Sequence, residues 1–372
     1  MKTVLFLIPS LGGGGAERVL VNLVNNLDRT RFQVTVQTLF DTGVNRQYLS
    51  KDIAYIPGFR WQMPGNVRLF KLFSPEFLYR TIVRKKYDIV VSYLEGPTAR
   101  IVAGCPYDSK LVSWVHVEQK TKEAASYSYK SLNEYEKCAK RYDHTVCVAE
   151  TVKRDFLSTV SLEKPCSVLY NTNEDQEIVQ KACERADFTG SSDNIRIISV
   201  ARLRYEKGFD RLIVAHKRLL EEGFPHEIFV LGEGSEREKL EKLIQENSIQ
   251  DTFHLMGFDT NPYKYVSRAD LYVCSSRREG FSTAVTEALI LGVPVVSTNC
   301  SGAEELLGKN DEYGIVVENS EEGIYSGLKR MLENRELLQH YKKKAEERGN
   351  FFSKEKTVKA VEDMLDSLFE EE

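Results

Sequence analysis

Short apolar runs alternate with helix-like segments along both halves of this chain, and this alternation limits the folds available to it. Strands that alternate with helices predict parallel sheets covered by helices on both faces. We therefore expect an α/β protein with two domains, each built on a doubly wound parallel sheet. The predicted strands are residues 3–8, 33–38, 89–92, 110–115, 144–148 and 167–169 in the first half, and 195–200, 227–231, 252–256, 271–274, 294–298 and 314–317 in the second.

A polar stretch, residues 171–194, separates the two sets of strands and predicts the connection between the domains. We expect the boundary near Asn171 to Asn173, which gives domains 1–172 and 173–352. Ser353 is a suitable N-cap for a last helix over residues 354–368. A chain of 372 residues with 42% hydrophobic residues has enough apolar side chains to form two hydrophobic cores of ordinary size.

Two glutamates, Glu279 and Glu287, lie eight positions apart across Gly280. Glu279 follows an apolar strand and Glu287 lies about two turns into the next helix, so both carboxylates can face one crevice. The backbone N–H groups between Gly280 and Thr283 belong to the start of that helix, where phosphate binds favourably. The alternative for this common residue type is that Glu287 is only a solvated helix residue.

Arg202 and Lys207 follow the strand that opens the second half and precede a helix. In a parallel α/β sheet the ligand crevice lies outside the carboxyl ends of the strands. An arginine can donate hydrogen bonds to two phosphate oxygens at once, and a lysine supplies a point charge. This pair therefore predicts a diphosphate site.

The two pairs resemble the R-x4-K and E-x7-E signatures of the family 4 retaining glycosyltransferases, which have the GT-B architecture of two facing Rossmann-like domains. The segments 6–18, 231–235 and 292–296 are also similar to that family. The resemblance implies that the reactants meet in the cleft between the domains. It also implies that the terminal helix, within residues 353–372, packs back on the N-terminal domain.

The resemblance assigns roles to the donor site. Arg202 and Lys207 would stabilise the leaving diphosphate, where charge develops as the glycosidic bond breaks. Glu287 would bind the ribose hydroxyls, while Glu279 would hold the sugar. The expected donor site also includes Gly280, Phe281, Ser282 and Thr283.

Four glycines, Gly12 to Gly15, lie between the first strand and a helix that begins near Ala16. Without side chains at Gly13, Gly14 and Gly15 the backbone can approach a ligand closely, and a helix start favours an anion. The alternative is a tight connection that needs positive φ. The run lacks the ordered G-x-G-x-x-G dinucleotide pattern, and Glu17 is expected to complement the helix dipole.

His116 follows a strand of the first half and would also reach the crevice. The resemblance makes it the histidine that contacts the donor sugar. From the residues alone, a structural histidine is an equally good interpretation. Glu95 and Glu118 are nearby candidates for acceptor contacts, with solvated loop carboxylates as the alternative.

The charge is divided unevenly along the chain. Residues 1–170 contain 24 Lys plus Arg against 16 Asp plus Glu, a net +8, whereas the remainder carries −12. Cations interleaved with aromatic and aliphatic residues mark the segment 60–86, which predicts peripheral attachment to the cytoplasmic face of the inner membrane. The alternative is that its aromatic residues pack into the first core. Nucleic acid is not an expected partner, because no nucleic-acid motif accompanies the basic segment.

Seven cysteines without C-x-x-C spacing argue against a zinc cage or a disulfide framework and favour a reducing, cytoplasmic compartment. The chain has no D-x-D motif, and its six histidines lack metal-ligand spacing. We therefore expect no metal and no other cofactor. The apolar run from Val4 to Pro9 is too short for a membrane span or a signal sequence.

Together with these patterns, the resemblance implies transfer of a hexose or N-acetylhexosamine from a nucleotide diphosphate sugar, expected to be a UDP sugar, with retention at the anomeric carbon. The acceptor that the resemblance and the basic segment imply is a polyprenyl-diphosphate-linked saccharide used for capsule, exopolysaccharide or a related surface glycan. Two alternatives stay open. One is a sugar-nucleotide epimerase of the same architecture, and the other is a binding subunit that kept the fold but lost turnover.

Overall fold

The computed structural model describes residues 1–12, 14–60, 66–188 and 194–370. The chain divides into two compact units. The first comprises Met1–Asn173 and Lys354–Glu372, and the second comprises Glu174–Ser353. Each unit is built around one parallel sheet.

The first unit has a sheet of seven strands among its described residues, in the order β3-β2-β1-β4-β5-β6-β7. The order reverses between β1 and β4, which is the arrangement of a doubly wound fold. The strands are β1 (Lys2–Ile8), β2 (Phe32–Thr38), β3 (Ala54–Ile56), β4 (Ile89–Ser92), β5 (Lys110–Val115), β6 (His144–Cys147) and β7 (Cys166–Val168). The helices before the linker are α1 (Gly15–Asn26), α2 (Asn66–Phe70), α3 (Pro75–Ile82), α4 (Pro97–Val102), α5 (Lys122–Ala125), α6 (Leu132–Ala139) and α7 (Glu150–Thr159).

The second unit has a sheet of six described strands in the order β10-β9-β8-β11-β12-β13. The strands are β8 (Ile195–Val200), β9 (His226–Leu231), β10 (Phe253–Gly257), β11 (Leu271–Cys274), β12 (Val295–Thr298) and β13 (Ile315–Val317). The helices are α8 (Asp175–Ala182), α9 (Phe209–Glu221), α10 (Arg237–Glu246), α11 (Tyr263–Val266), α12 (Thr283–Ile290), α13 (Ala303–Leu307), α14 (Glu321–Glu333) and α15 (Arg335–Gly349). The prediction of two Rossmann-like α/β domains is confirmed.

Central strands are buried on both faces, which explains why they read as continuous apolar runs. Residues Val4 to Ile8 of β1 and Ile228 to Val230 of β9 are almost fully inaccessible to solvent. The short strand β3 was not predicted. Its three residues are exposed or half-buried at the sheet edge, so they carry no strong apolar signal.

The last helix, α16 (Lys354–Ser367), belongs to the first unit. Val361 and Leu365 are buried there. Arg31, beside β2, donates to Glu362 at 2.7 Å, and Lys2 donates to Asp366 at 3.0 Å. Apolar burial and ion pairs thus hold the two ends of the chain in one unit.

Candidate active site

The central feature of the second unit is an ion pair between Lys207 and Glu279. Lys207 ends a 3-10 turn, Tyr205–Lys207, that follows β8, and Glu279 follows the neighbouring strand β11. Lys207 Nζ donates to Glu279 Oε1 at 2.6 Å, and Ser276 Oγ donates to the same oxygen at 2.6 Å. The side chains are only 20% and 14% exposed. The carboxyl ends of two adjacent strands therefore bring together a cation and a carboxylate that are 72 residues apart in sequence.

Arg202, the second predicted cation, lies between β8 and the 3-10 turn and is exposed. Within the described ranges, no hydrogen bond or ion pair engages its guanidinium. The group is therefore accessible to an anion at the same end of the sheet as Lys207.

The loop after Glu279 leads directly into α12. Ser282 is the N-cap, and its hydroxyl accepts from the backbone N–H of Val285. The N–H groups of Thr283 and Ala284 bond to no acceptor among the residues that the structure describes. Such groups at a helix start suit a phosphate.

Phe281 is buried, and its ring packs edge-on against Phe352 at 5.8 Å. Its side chain therefore anchors the loop in the core, and only its backbone is suited to a ligand. Gly280 is approached closely by Gly302, where an added Cβ would lie 2.9 Å from the Gly280 carbonyl oxygen. Gly302 has φ of +78°, which also favours glycine.

Glu287 is the fifth residue of α12, so it lies about one and a half turns into the helix rather than two. Its Oε1 accepts a hydrogen bond of 3.1 Å from the Tyr263 hydroxyl at the start of α11. Tyr263 was not predicted from the sequence, because a tyrosine in a four-residue helix has no distinctive pattern. Its position between β10 and β11 is the only signal in the sequence that points to it.

In the first unit, the glycine loop meets α1 at its N-cap, Gly14, and Gly15 is the first helical residue. Gly13 lies outside the described residues. A Cβ added to Gly14 would come 2.2 Å from the Glu17 carboxylate. The negatively charged Glu17 carboxylate thus lies against the glycine loop, which the sequence predicted to be an anion site. This arrangement suits a ligand hydroxyl better than a phosphate.

His116 follows β5 and is 6% exposed. Its backbone N–H donates to Glu95 Oε2 at 2.9 Å, and its ring lies 4.9 Å from that of Tyr93. Burial lowers the pKa of His116 to about 3, so the ring is neutral at pH 7. In this state it can exchange hydrogen bonds with a substrate but cannot supply a proton as an imidazolium. Its Nε2 atom is buried and has no partner in the described structure.

The basic segment 60–86 separates into buried and exposed parts, and Trp61 lies outside the described residues. Leu78 and Tyr79 of α3 are buried, as the core-packing alternative predicts for them. Four large apolar side chains on and around α2 and α3 are exposed, namely Leu69, Leu72, Phe73 and Phe77, with Leu72 at 71%. The cations Arg68, Arg80, Arg84, Lys85 and Lys86 are also exposed. We call these nine residues the basic apolar surface.

Across the described ranges, no group of three or more His, Cys, Asp or Glu side chains is arranged to hold a metal ion. The same ranges contain no helix with the length and apolar character needed to cross a bilayer.

Comparisons with known proteins agree with the architecture. The family model of glycosyl transferases group 1 matches residues 182–348, and that of glycosyltransferase family 4 matches residues 13–172. The structure of Anabaena HepE in complex with UDP superimposes with a TM-score of 0.80 at 18% identity, over 99% of this chain and 100% of that one. Sucrose-phosphate synthase from Thermosynechococcus elongatus gives a TM-score of 0.78 at 16% identity, over 99% of each chain. At these identities the likeness establishes the fold.

Among curated proteins, a Campylobacter jejuni enzyme is 30% identical over 381 residues, which cover 99% of this chain and 100% of the relative. It is the N-acetylgalactosamine-N,N'-diacetylbacillosaminyl-diphospho-undecaprenol 4-alpha-N-acetylgalactosaminyltransferase. The amylovoran biosynthesis glycosyltransferase AmsD of Erwinia amylovora is 22% identical over 98% of this chain and 100% of the relative. With both family models, this similarity along the whole chain means that the protein belongs to the family 4 glycosyltransferases of GT-B fold.

Proposed function

We propose that the protein transfers a hexose or N-acetylhexosamine from a UDP sugar to a lipid-linked saccharide, with retention of the anomeric configuration. The observation that carries this proposal is the Lys207–Glu279 pair at the carboxyl ends of β8 and β11, beside the start of α12. A cation, a carboxylate and helix-start N–H groups in one place match the diphosphate and hydroxyl groups of a sugar nucleotide.

In the proposed donor complex, Lys207 and Arg202 bind the diphosphate, together with the N–H groups of Thr283 and Ala284. Glu287 binds the ribose hydroxyls with Tyr263 beside it, and Glu279 binds the sugar. UDP as the nucleotide is supported by the structures of Anabaena HepE, which were solved with UDP and with UDP-glucose. That support concerns a protein of the same fold at 17 to 18% identity.

The proposed mechanism depends on stabilising the leaving group. Negative charge grows on the diphosphate as the glycosidic bond breaks, and fixed cations that meet this charge lower the barrier. We infer that the acceptor hydroxyl attacks from the face that the diphosphate leaves, and that the donor phosphate takes the hydroxyl proton. Retention follows from attack on this face. The proposal needs no metal or other cofactor, because protein cations and helix-start N–H groups neutralise the diphosphate. His116, neutral at pH 7, contributes a sugar contact rather than a proton.

The acceptor part of the proposal is supported by a relative and by a surface. The Campylobacter jejuni relative is named for a saccharide carried on diphospho-undecaprenol, and AmsD is named for amylovoran biosynthesis. We therefore propose a polyprenyl-diphosphate-linked saccharide as the acceptor and surface polysaccharide assembly as the process. The basic apolar surface would hold the enzyme on the cytoplasmic face of the membrane, where its apolar residues enter the headgroup boundary and its cations meet anionic lipid.

The test is nucleotide release from a panel of UDP, GDP and ADP sugars, with and without a mixture of polyprenyl-diphosphate saccharides. Acceptor-stimulated release from one donor is the expected result, and NMR of the product should report the same anomeric configuration as in the donor. Conversion of the sugar without an acceptor would indicate an epimerase, while donor binding without turnover would indicate a binding subunit. An inverted anomeric centre would overturn the proposed retaining mechanism.

A further inference from the structure

The turn that carries Lys207 is held by the loop that carries Glu279. Three consecutive carbonyl oxygens of the turn accept hydrogen bonds from that loop. Tyr205 O accepts from Arg277 Nη1 at 2.9 Å, Glu206 O accepts from the Arg277 backbone N–H at 2.7 Å, and Lys207 O accepts from Ser275 Oγ at 2.8 Å. A single 3-10 turn has few internal hydrogen bonds, so these outside donors fix its position.

Arg277 is itself fixed by Asp210 in the first turn of α9. Its Nη1 and Nη2 atoms bond to Asp210 Oδ1 and Oδ2, both at 2.7 Å. The guanidinium also lies over the Tyr205 ring, 4.1 Å from its centroid. Burial alone would raise the pKa of Asp210, but the hydrogen bonds and charge of Arg277 lower it on balance. This two-pronged geometry allows one orientation of the arginine.

The backbone of the same loop is braced from its other side. Asn319 Nδ2 donates to the Arg277 carbonyl at 3.1 Å, and Arg211 Nη2 donates to the Ser275 carbonyl at 2.8 Å. Gly208, which has φ of +68°, lies so close that an added Cβ would be 2.2 Å from the Ser275 carbonyl oxygen. These contacts therefore hold the turn and the loop firmly together.

We propose that Arg277 and Asp210 are positioning residues of the donor site, which hold Lys207 where it meets the diphosphate without touching the donor themselves. The inference rests on the proposed function, because it takes Lys207 as a ligand of the diphosphate. A displacement of about 1 Å at a binding group is enough to lower a rate by up to roughly a hundredfold. The contacts that hold the turn in place therefore affect the rate of the reaction as well as the stability of the fold.

A purely structural role predicts a different pattern of double substitutions. If Arg277 acts through Lys207, its loss matters only while Lys207 is present, so the two effects are not additive. If Arg277 only supports the fold, its loss weakens donor binding by the same factor whether or not Lys207 is present. The loss of donor binding caused by the Arg277 substitution, measured with and without Lys207, therefore separates the two roles.

The experiment measures calorimetric binding of UDP, GDP and ADP, together with turnover of the donor, for the wild type, R277Q, K207A and R277Q/K207A. We expect R277Q to weaken binding of the preferred nucleotide and to lower turnover about tenfold in the wild-type background. In the K207A background the further loss should be less than about twofold. D210N, which removes the fork but leaves the backbone hydrogen bonds of Arg277, should reproduce the same pattern with a smaller loss and serves if R277Q does not fold.

The matched control is R218Q. Arg218 also pairs with a carboxylate, Glu322, at 2.6 Å and lies over the ring of Tyr325, but it is on the far part of α9. It should leave nucleotide binding unchanged. Equal losses from R277Q in both backgrounds would overturn the positioning role and leave the proposed function intact. Wild-type affinity in K207A would overturn the diphosphate assignment and this inference with it.

Discussion

Lys207 Nζ and Glu279 Oε1 are 2.6 Å apart, so the cation proposed for the diphosphate and the carboxylate proposed for the sugar hold each other in place. Ser276 shares the same carboxylate oxygen. The pair is largely buried, so removal of either side chain leaves the charge of the other buried without a counter-charge. Lys207 and Glu279 should therefore be treated as one ion pair. The net charge around this pair changes when a diphosphate binds.

Replacement of Lys207 by alanine should lower turnover about a hundredfold, as the loss of one fixed donor to a developing negative charge does in other enzymes. Steady-state nucleotide release from the preferred donor measures the effect. Lys217→Ala is the control, because Lys217 lies on α9 in an i,i+4 pair with Glu221. Activity equal to the wild type in Lys207→Ala would refute the diphosphate assignment.

Replacement of Tyr263 by phenylalanine should raise the KM for the donor roughly five- to tenfold with a smaller effect on kcat. The substitution removes a hydroxyl that donates to Glu287, and a typical hydrogen bond contributes about 0.5–1.5 kcal/mol net. Tyr265→Phe, on the same short helix, is the control, since the Tyr265 ring packs on Phe188. A KM that changes equally in both variants would mean that Tyr263 does not act through Glu287.

Neutralisation of part of the basic apolar surface should weaken binding to anionic vesicles. The variant R80Q/R84Q/K85Q/K86Q removes four exposed cations, each of which contributes about 1 kcal/mol near an anionic surface. Cosedimentation with phosphatidylglycerol vesicles at low and high salt measures the loss, and Leu72→Ser tests the apolar part separately.

The control for the vesicle experiment removes the same number of cations, four, from the second unit, by lysine-to-glutamine changes at the exposed positions Lys239, Lys242, Lys342 and Lys343. It should bind as the wild type does. Vesicle binding retained by R80Q/R84Q/K85Q/K86Q at low salt would remove the argument for this surface.

The stability of the second unit should fall as the pH is lowered below about 6.5, because of His216 and His226. His226 Nδ1 bonds to the Phe224 carbonyl at 2.8 Å, so its Nε2 accepts from His216 Nδ1 at 2.8 Å, and His216 Nε2 accepts from Thr252. Burial, together with neighbouring histidines, lowers the pKa of His216 to about 2, and burial also lowers that of His226. A proton on His226 Nε2 would face the N–H of His216, and a proton on His216 Nε2 would face the Thr252 hydroxyl, which would then have to accept a hydrogen bond instead of donating one.

The sign of this effect follows from the lowered pKa values. The unfolded chain binds protons near pH 6.5 that the folded unit resists, so the free energy of unfolding decreases as pH falls, by up to about 1.4 kcal/mol per pH unit for each histidine. Urea unfolding at pH 7, 6 and 5 measures the slope. His216→Gln should flatten it, whereas the exposed His340→Gln should not. An unchanged slope in His216→Gln would contradict the assignment.

Replacement of Arg100 by methionine should destabilise the first unit by about 3 kcal/mol or more, because Arg100 is a charged residue that is only 1% exposed. Its guanidinium bonds to Glu134 and to the carbonyls of Phe70 and Phe73, at 2.7 to 3.0 Å. Chemical denaturation measures the change. Arg80→Met is the control, since its exposed i,i+4 pair with Glu76 contributes at most about 1 kcal/mol. A loss no larger than that of Arg80→Met would mean that the buried network is dispensable.

Much of the fold could be predicted because parallel strands buried on both faces leave long apolar runs in the sequence. Strands β4, β5 and β11 begin and end at the predicted residues. The edge strand β3 was missed because Ala54–Ile56 is short and partly exposed. In the basic segment, periodicity could not decide which aromatic residues are buried. The packing of α3 decided that Tyr79 is inside and Phe77 outside.

The sequence by itself determined the order of strands and helices, the family, and the candidate residues Arg202, Lys207, Glu279 and Glu287, since local spacing and apolar periodicity are written along the chain. Only the tertiary structure decided which of these residues touch and what holds them. The ion pair of Lys207 with Glu279, the contact of Tyr263 with Glu287 and the fork of Arg277 on Asp210 join positions that are 72, 24 and 67 residues apart. Such contacts depend on which strands lie side by side and on how the loops at their ends pack, and no local pattern in the sequence specifies either.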